Sequence, residues 1–321
     1  MKDFGIIVGC CNQDYNFAEG VCASIRYFME DVPICLLVDG ISSFEVRAME
    51  RTYGVSVLNH INISSDFLKK HSFGWALNKM ICFWESPWEH FLYMDSDTNA
   101  WGNILKKVPH LKEYDMVIDK PTSEYSDEDI CRWFFDIPQL EKHFPNFNWK
   151  AHRNDYVCPG VIFGRRNIFS LDEYKELLEF NSSHPGLFKM GDMGFLNFLI
   201  FRAVDEGRLK LCQEDIQFLM PDFDMDYIEK RFPFDEKGPV CKDEDITLIH
   251  WAGPKPAPFS RTVYGKPMTF FRRKFLEDAW NSQGLGTEVL LKAEDLKRYY
   301  FLYRNKLRKK FRQFKKKLAQ K

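Results

Sequence analysis

The sequence lacks any segment that approaches the roughly 18 uninterrupted apolar residues of a transmembrane helix. Its first apolar run, at residues 4–11, is too short for the core of a signal peptide, and Asp3 stands where basic residues would be expected. None of the nine cysteines forms a Cys-x-x-Cys pair, which argues against a zinc ribbon or a disulfide framework. We therefore expect reduced thiols and a cytoplasmic location.

Composition and charge indicate a large globular body with a separate basic end. Apolar residues make up 45% of the 321 residues and aromatic residues 16%, enough to bury one large α/β core. The net charge of −1 conceals an asymmetry, since residues 297–321 contain twelve Lys or Arg and no acid. The rest of the chain holds all 46 acidic residues and only 33 of the 45 basic ones. Such a basic tail indicates an electrostatic task of its own.

Strands and helices alternate along the first 95 residues. Apolar runs predict strands at residues 4–10, 33–40, 55–60 and 91–94, and helical spacing predicts helices at 18–30 and 74–85. Later strands are predicted within residues 114–120, 156–164 and 245–253. This order is typical of a mostly parallel, doubly wound α/β sheet with helices on both faces. Ligands of such sheets bind at the carboxyl ends of the strands.

Two aspartates, Asp95 and Asp97, follow the predicted strand at 91–94 with only Ser96 between them. If the chain turns there, both carboxylates can reach one hard divalent cation such as Mn²⁺ or Mg²⁺, which prefers oxygen ligands and shares them with phosphates. This spacing is also common in acidic surface turns, so the pair alone leaves both interpretations open.

Two other classes of protein contain aspartates with this spacing, and their motifs can be compared with the sequence. An EF-hand loop is excluded, because Ala100 and Lys106 occupy the positions of its glycine and its final glutamate. A haloacid-dehalogenase-type phosphatase is disfavoured, because Asn99 stands where that motif has Thr or Val. The motif of such phosphatases also lies on the first strand of the chain, whereas this pair lies further along.

A second polar segment, IHWAGPKP, ends the predicted strand near residue 250. His250 is a candidate third metal ligand, because imidazole binds Mn²⁺ as well as softer ions. Gly253 would let the backbone approach a phosphate, and Lys255 would offset its charge. A lone histidine after a strand is more often structural, but the following turn and the aspartate pair together favour ligation.

These segments resemble the GT-A-fold glycosyltransferases, and most closely glycosyltransferase family 8, the group of glycogenin and the bacterial lipooligosaccharide galactosyltransferases. NKMICFWESPWEHFLYMDSDTNAWGN is similar to that family's Lys-Leu, Trp and Tyr-Leu-Asp-x-Asp-Thr block, and LIHWAGPKP is similar to its His-x-x-Gly-x-x-Lys-Pro turn. CPGVIFGRRN and GDMGFLNFL resemble its Asn-Ser-Gly-Val strand and its Asp-Gln-x-x-Leu-Asn helix start. The likeness spans about residues 4–256.

The resemblance implies a role for each matching residue. Asp95, Asp97 and His250 would hold Mn²⁺ or Mg²⁺ against the diphosphate of a nucleotide sugar. Asp192 matches the family's acidic residue near the reaction centre and would be catalytic. The residues expected to bind the donor are Cys11, Asn12, Tyr15, Lys79, Ser96, Gly253 and Lys255. We expect a GT-A catalytic domain over residues 1–285 and a basic amphipathic tail over 286–321.

The implied function is a hexosyltransferase that moves a sugar from a UDP-sugar to a glycan or lipid-linked acceptor, with retention of configuration. Three positions depart from the family pattern. Lys255 lies one residue closer to His250 than the corresponding lysine of the family does. Met193 and Cys158 replace amide side chains that lie near the donor sugar in the family. A second interpretation therefore stays open, a non-catalytic GT-A-fold protein that binds a sugar nucleotide or a glycan.

Two further segments have more than one interpretation. In the tail, apolar residues recur every three or four positions from Tyr303 to Leu318 among basic ones, as in a helix on an anionic membrane surface at its cytoplasmic face. A packed C-terminal helix is the alternative, and no nucleic-acid partner is expected. The aromatic cluster at residues 131–149 could be core or a sugar-stacking platform, with Trp133, Phe134 and Trp149 as the candidates.

Overall fold

The structure is a computed structural model that describes residues 3–40, 43–74, 76–220, 225–241, 247–253 and 266–319, without the side chains of residues 76, 225, 309 and 312–319. Its strands are β1 (Phe4–Cys11), β2 (Ile34–Asp39), β3 (Ser56–Leu58), β4 (His90–Asp95), β5 (Thr98–Ala100), β6 (Met116–Asp119), β7 (Val161–Arg165), β8 (Leu211–Glu214), β9 (Gln217–Leu219), β10 (Phe234–Asp235), β11 (Gly238–Pro239) and β12 (Leu248–His250). Lys255 lies outside the described residues.

The α-helices of the described residues alternate with these strands. They are α1 (Tyr15–Phe28), α2 (Phe44–Tyr53), α3 (Asp66–His71), α4 (Cys82–Glu85), α5 (Asp127–Trp133), α6 (Ile137–His143), α7 (Leu171–Ser183), α8 (Asp192–Asp205), α9 (Met225–Arg231), α10 (Lys266–Trp280) and α11 (Leu285–Ala319). Short 3₁₀ helices span Ala76–Ile81, Ile104–Lys112 and Trp149–His152.

A seven-stranded sheet with the order β3-β2-β1-β4-β7-β6-β8 forms the centre of the protein. β7 runs antiparallel to both of its neighbours, and the other pairs of this sheet are parallel. A smaller sheet has the order β5-β12-β9, in which β12 is antiparallel to β5 and parallel to β9. The predicted α/β class with a mostly parallel sheet is confirmed.

Helices cover both faces of the central sheet, because its strands are apolar on both sides. Along β1, Ile6 and Val8 belong to one buried cluster and Ile7 to another. The first cluster contains the buried faces of α1 and α10, and the second contains those of α7 and α8. This burial on two sides explains why the strands of a parallel sheet read as unbroken apolar runs in the sequence.

The segment predicted as one helix at 74–85 has a different form in the structure. It is a 3₁₀ helix at Ala76–Ile81 followed by the short helix α4. The apolar spacing does not distinguish the two forms, because both repeat every three to four residues. The segment ends at Ser86, before Pro87, as predicted.

Helix α11 begins at Leu285 and packs on the body over its first half. Leu291 is buried, and the guanidinium of Arg298 lies 4.1 Å from the ring centroid of Phe17 in α1. The buried Arg272 of α10 pairs with Glu294 at 2.7 Å. The first half of the helix is therefore in contact with the rest of the protein.

The aromatic cluster at residues 131–149 belongs mostly to the core. Phe134 and Trp149 are buried in it, and Trp133 is half-buried beneath the guanidinium of Arg132.

Among the described residues, no helix has the length and apolar character needed to cross a membrane.

Candidate active site

A cleft of about 750 Å³ opens where β1 and β4 end and β7 begins. Most of the residues predicted for the site line it, namely Cys11, Asn12, Lys79, Asp95, Ser96, Asp97, Asp192, His250 and Gly253. Tyr15 is buried at the start of α1 and borders a smaller cavity beside α11 instead. Among the described residues that were predicted for the site, Tyr15 is the one that does not line this cleft.

Asp95, Asp97 and His250 converge because two sheets meet at this edge. Asp95 is the last residue of β4, and Asp97 lies in the turn that leads into β5. His250 ends β12 and pairs with Thr98 of β5, so the short sheet places its imidazole beside the turn. Donor atoms of the three side chains lie within 4.8 Å of one another, and His250 Nε2 is 3.7 Å from Asp97 Oδ1.

This donor set is chemically suited to a divalent cation. Two carboxylates and one imidazole match the ligand preferences of Mn²⁺, and the carboxylates also suit Mg²⁺. Asp97 and His250 are almost entirely buried, whereas the Asp95 side chain is 28% exposed. An ion held here would be reachable from the cleft through the side of Asp95.

We refer to Asp95, Asp97 and His250 as the metal-type group. Lys79 lies between this group and the start of α8. Its Nζ is 2.6 Å from Asp192 Oδ2, 3.3 Å from Asp95 Oδ2 and 2.9 Å from the carbonyl oxygen of Pro159. Burial lowers the pKa of Lys79, but the carboxylates of Asp192 and Asp95 outweigh that effect and raise it above its ordinary value. An ammonium has three protons, and these three partners engage all of them. Lys79 thus holds the two carboxylates together.

Tyr93 was not predicted as part of the site. Its hydroxyl donates a 2.8 Å hydrogen bond to Asp95 Oδ1, and a Cβ atom at Gly9 would lie 2.1 Å from that hydroxyl oxygen. Gly9 is paired with Asp95 across β1 and β4, so the missing side chain makes room for the tyrosine. In the sequence Tyr93 is one more aromatic residue of a buried strand, and it carries no separate signal.

The loop after β1 is a tight turn at the mouth of the cleft. The Cys11 N–H donates to Asp14 Oδ1 at 2.7 Å, and the Asp14 N–H donates back to the Cys11 carbonyl at 3.1 Å. Asn12 and Gln13 are exposed on this turn and line the cleft. Their side chains can therefore meet a ligand that enters there.

The two residues that depart from the family pattern, Cys158 and Met193, both line the cleft. Burial raises the pKa of the Cys158 thiol to about 12, so the side chain is a neutral thiol. The neighbouring Met190 also lines the cleft, in a left-handed conformation with φ of 51°. The wall beside Asp192 is thus made of soft, weakly polar side chains.

A second group of metal-type ligands, His110, Cys212 and Glu214, lies on the edge strand β8 and the 3₁₀ helix before β6. There Lys107 already places its ammonium 2.7 Å from Glu214, and this pair lowers the pKa of the Glu214 carboxyl. We interpret this group as an ion-pair cluster.

The structure is similar to several solved glycosyltransferases. The galactosyltransferase LgtC, solved with donor and acceptor sugar analogs, matches with a TM-score of 0.50 at 14% identity, over 87% of this chain and 96% of that one. The bifunctional glycosyltransferase WbbM matches with a TM-score of 0.52 at 12% identity, over 92% of this chain and 52% of that one. GlyE of Streptococcus pneumoniae TIGR4 matches at 0.50 and 14%, over 91% and 62%.

The chain has the GT-A fold. At these identities the likeness establishes the fold alone, and it confirms the fold that the sequence resemblance implied. No family model matches the sequence, and no curated protein matches it.

Proposed function

We propose that this protein is a metal-dependent glycosyltransferase, which moves a sugar from a UDP-sugar to a glycan or lipid-linked acceptor with retention of configuration. The observation that carries the proposal is the convergence of Asp95, Asp97 and His250 at the strand ends of a GT-A fold. Lys79 and Asp192 stand directly beside this group. The named neighbours of the fold are glycosyltransferases, which supports the same class of reaction.

The residues of the cleft have separate roles in this proposal. Asp95, Asp97 and Nε2 of His250 would hold Mn²⁺ or Mg²⁺, which supplies positive charge against the departing diphosphate. Lys79 holds Asp192 and Asp95 in place. Asp192 would present its carboxylate to the sugar carbon, which becomes cationic as its bond to the diphosphate breaks.

Donor recognition would come from the rim of the cleft. The exposed turn with Cys11 and Asn12 would meet the uridine, and Ser96 lies between the two aspartates. Gly253 has a φ of 95°, so its backbone can adopt a course that other residues rarely take and can approach a phosphate. A donor contact of Lys79 would need one of its present partners to be exchanged, and those of Tyr15 and Lys255 stay predictions.

A second candidate is a GT-A-fold protein that binds a sugar nucleotide or glycan without transferring the sugar. The observation that favours it is the wall of Cys158 and Met193 beside Asp192, which offers few hydrogen bonds to a sugar. Where its ligand is a sugar nucleotide, the second candidate predicts the same binding as the transferase and differs from it in turnover.

The basic second half of α11 would dock the enzyme on an anionic membrane surface at its cytoplasmic face. Tyr303, Leu307 and Phe311 are exposed on this helix at steps of four residues, between basic side chains. Apolar residues inserted among the headgroups and cations near anionic lipids both favour such binding. Docking would bring a lipid-linked acceptor to the cleft.

A thermal-shift panel of nucleotide sugars, each with and without Mn²⁺, tests the proposal. A ligand at a hundred times its dissociation constant adds about 2.7 kcal/mol to the free energy of unfolding. We expect stabilisation by a UDP-sugar that depends on Mn²⁺, and release of UDP when an acceptor mixture is added. Binding without any UDP release, with or without acceptor, would favour the second candidate, and a panel without a Mn²⁺-dependent shift would contradict the metal-dependent transferase.

A further inference from the structure

Gln217, the first residue of β9, is buried in direct contact with the metal-type group, although nothing in the sequence marked it. It is 6% exposed, and its Oε1 lies 2.7 Å from Nδ1 of His250. Its Nε2 lies 3.1 Å from the carbonyl oxygen of Cys158. A carbonyl oxygen can only accept, so the NH₂ group must face Cys158 and the amide oxygen must face His250.

This orientation determines which nitrogen of His250 carries the proton. The amide oxygen of Gln217 also can only accept, so Nδ1 must be the protonated nitrogen. The lone pair of the neutral ring is then on Nε2, the nitrogen 3.7 Å from Asp97 Oδ1. A metal-binding histidine needs its lone pair on the side of the ion, and its other nitrogen usually donates to such an oxygen.

Gln217 is itself held from two sides. Asp119, at the end of β6, accepts hydrogen bonds of 3.0 Å from the backbone N–H groups of Ile216 and Gln217. Gln217 is also paired with Leu248 of β12, two residues before His250. Residues two apart on a strand share one face, so the glutamine and the histidine lie diagonally on the same side of the small sheet.

We propose that Gln217 is a positioning residue of the metal site, which fixes His250 in the Nδ1–H tautomer and so presents Nε2 to the divalent cation. The proposal rests on the proposed function, because the cation belongs to it. In known sites, mutation of such a partner typically lowers the metal affinity about 10- to 100-fold.

The test compares Gln217→Met, which removes both hydrogen bonds at similar volume, with Gln217→Glu, which keeps an acceptor for Nδ1. The matched control is Gln213→Met, because Gln213 also donates its amide to a backbone carbonyl, that of Asp155 at 3.1 Å, and does not line the cleft. The full chain labelled with ¹⁵N-histidine reports the His250 tautomer by NMR without metal. Electron paramagnetic resonance of free Mn²⁺ reports the metal affinity.

We expect the parent, Gln217→Glu and Gln213→Met to have the Nδ1–H tautomer and Mn²⁺ affinities within a few-fold of one another. Gln217→Met should lose the single tautomer and bind Mn²⁺ roughly 10- to 100-fold more weakly. The inference is overturned if Gln217→Met keeps the Nδ1–H tautomer, or if Gln213→Met weakens Mn²⁺ binding equally. If Gln217→Met does not fold, loss of the tautomer in Gln217→Glu would overturn it.

Failure of the proposed function would look different. A parent protein that binds no Mn²⁺ would contradict the metal-dependent transferase. The tautomer of His250 in the metal-free variants would still decide whether Gln217 orients the ring.

Discussion

Gly160 and His250 approach so closely that no side chain fits between them. A Cβ atom at Gly160 would lie 2.1 Å from Cε1 of His250 and 2.9 Å from Oδ2 of Asp95. The carbonyl oxygen of Gly160 also accepts a 2.8 Å hydrogen bond from the N–H of Asp95. The metal-type group is therefore packed around the glycine that leads into β7.

Gly160→Ala should disrupt this group. The added methyl must displace the imidazole or the start of β7, and overpacking of this kind costs about 1–3 kcal/mol. We expect at least a tenfold loss of Mn²⁺ affinity, measured by calorimetry. Gly286→Ala is the control, because its nearest contact would be 4.0 Å away and it lies in the first turn of α11. Parent-like Mn²⁺ affinity in Gly160→Ala would contradict the prediction that the close packing at Gly160 controls the metal site.

Asp97→Asn should abolish Mn²⁺-dependent binding of a UDP-sugar and nearly preserve the melting temperature without metal. The amide has the same shape but lacks the charge that a hard cation requires. Thermal shifts with and without Mn²⁺ measure both quantities. Asp172→Asn, at a side chain that is 82% exposed on α7, should change neither. Full transferase activity of Asp97→Asn would contradict the metal assignment.

Lys79→Met should destabilise the protein in a way that Mn²⁺ partly reverses. Removal of the buried ammonium leaves Asp95 and Asp192 without their shared cation, which costs about 3 kcal/mol for a buried pair. A bound divalent ion would compensate the charge of Asp95. Urea unfolding with and without Mn²⁺ measures the effect. Lys175→Met, which breaks an exposed pair with Asp172, should cost less than about 1 kcal/mol. Equal losses of stability in both variants would contradict the conclusion that Lys79 holds Asp95 and Asp192 together.

The contribution of Asp119 to the free energy of unfolding should decrease as the pH rises from about 4 to 6. Burial raises the pKa of Asp119 to about 6, although the N–H groups of Gln217 and Ile216 lower it. The folded state therefore holds a proton that the unfolded state releases near pH 4, and this contribution disappears as the pH rises through 6. Its size is up to about 3 kcal/mol, at 1.36 kcal/mol for each pKa unit.

Asp119→Asn should remove this slope, since an amide keeps an acceptor for both N–H groups and does not titrate. Chemical unfolding at pH 4, 5, 6 and 7 compares the two proteins. If the stability of the parent changes with pH over this range in the same way as that of Asp119→Asn, Asp119 does not hold a proton in the folded state.

Removal of residues 306–321 should separate membrane binding from the fold. The cut lies beyond Arg298, whose packing on Phe17 belongs to the body, and it removes nine of the twelve basic residues of the tail. Each Lys or Arg near an anionic bilayer contributes about 1 kcal/mol. We expect sedimentation with anionic liposomes at low salt to be lost, and transfer to a soluble acceptor to be unchanged. Liposome binding by the truncated protein, or none by the full chain, would contradict the docking proposal.

The sequence was most informative where burial is complete. β1 and β4 are unbroken apolar runs that end at polar residues, so both the strands and the edge that carries Asp95 could be predicted. The start of α8 at Asp192 was indicated by the resemblance of GDMGFLNFL to the family's helix start, rather than by an apolar run.

Short strands and long-range partners could not be predicted. β8 has four half-buried residues and β9 has three residues, too few for a period to be recognised. The reversed direction of β7 depends on how the chain returns to the sheet, which its own residues do not encode. Gln217 and His250 are 33 positions apart, and no local pattern relates a glutamine in a short strand to a distant histidine.

The reversed direction of β7 also constrains the order in which the protein can mature. Gly160 reaches Asp95 only after the chain has left β4, passed through β6 and turned back, and His250 follows much later. Contacts between such distant parts of a chain form late, because loop closure must precede them. A nascent chain thus carries its acidic pair long before it has the histidine to complete a ligand set. On the proposed function, the complete ligand set therefore forms only once β12 has paired with β5.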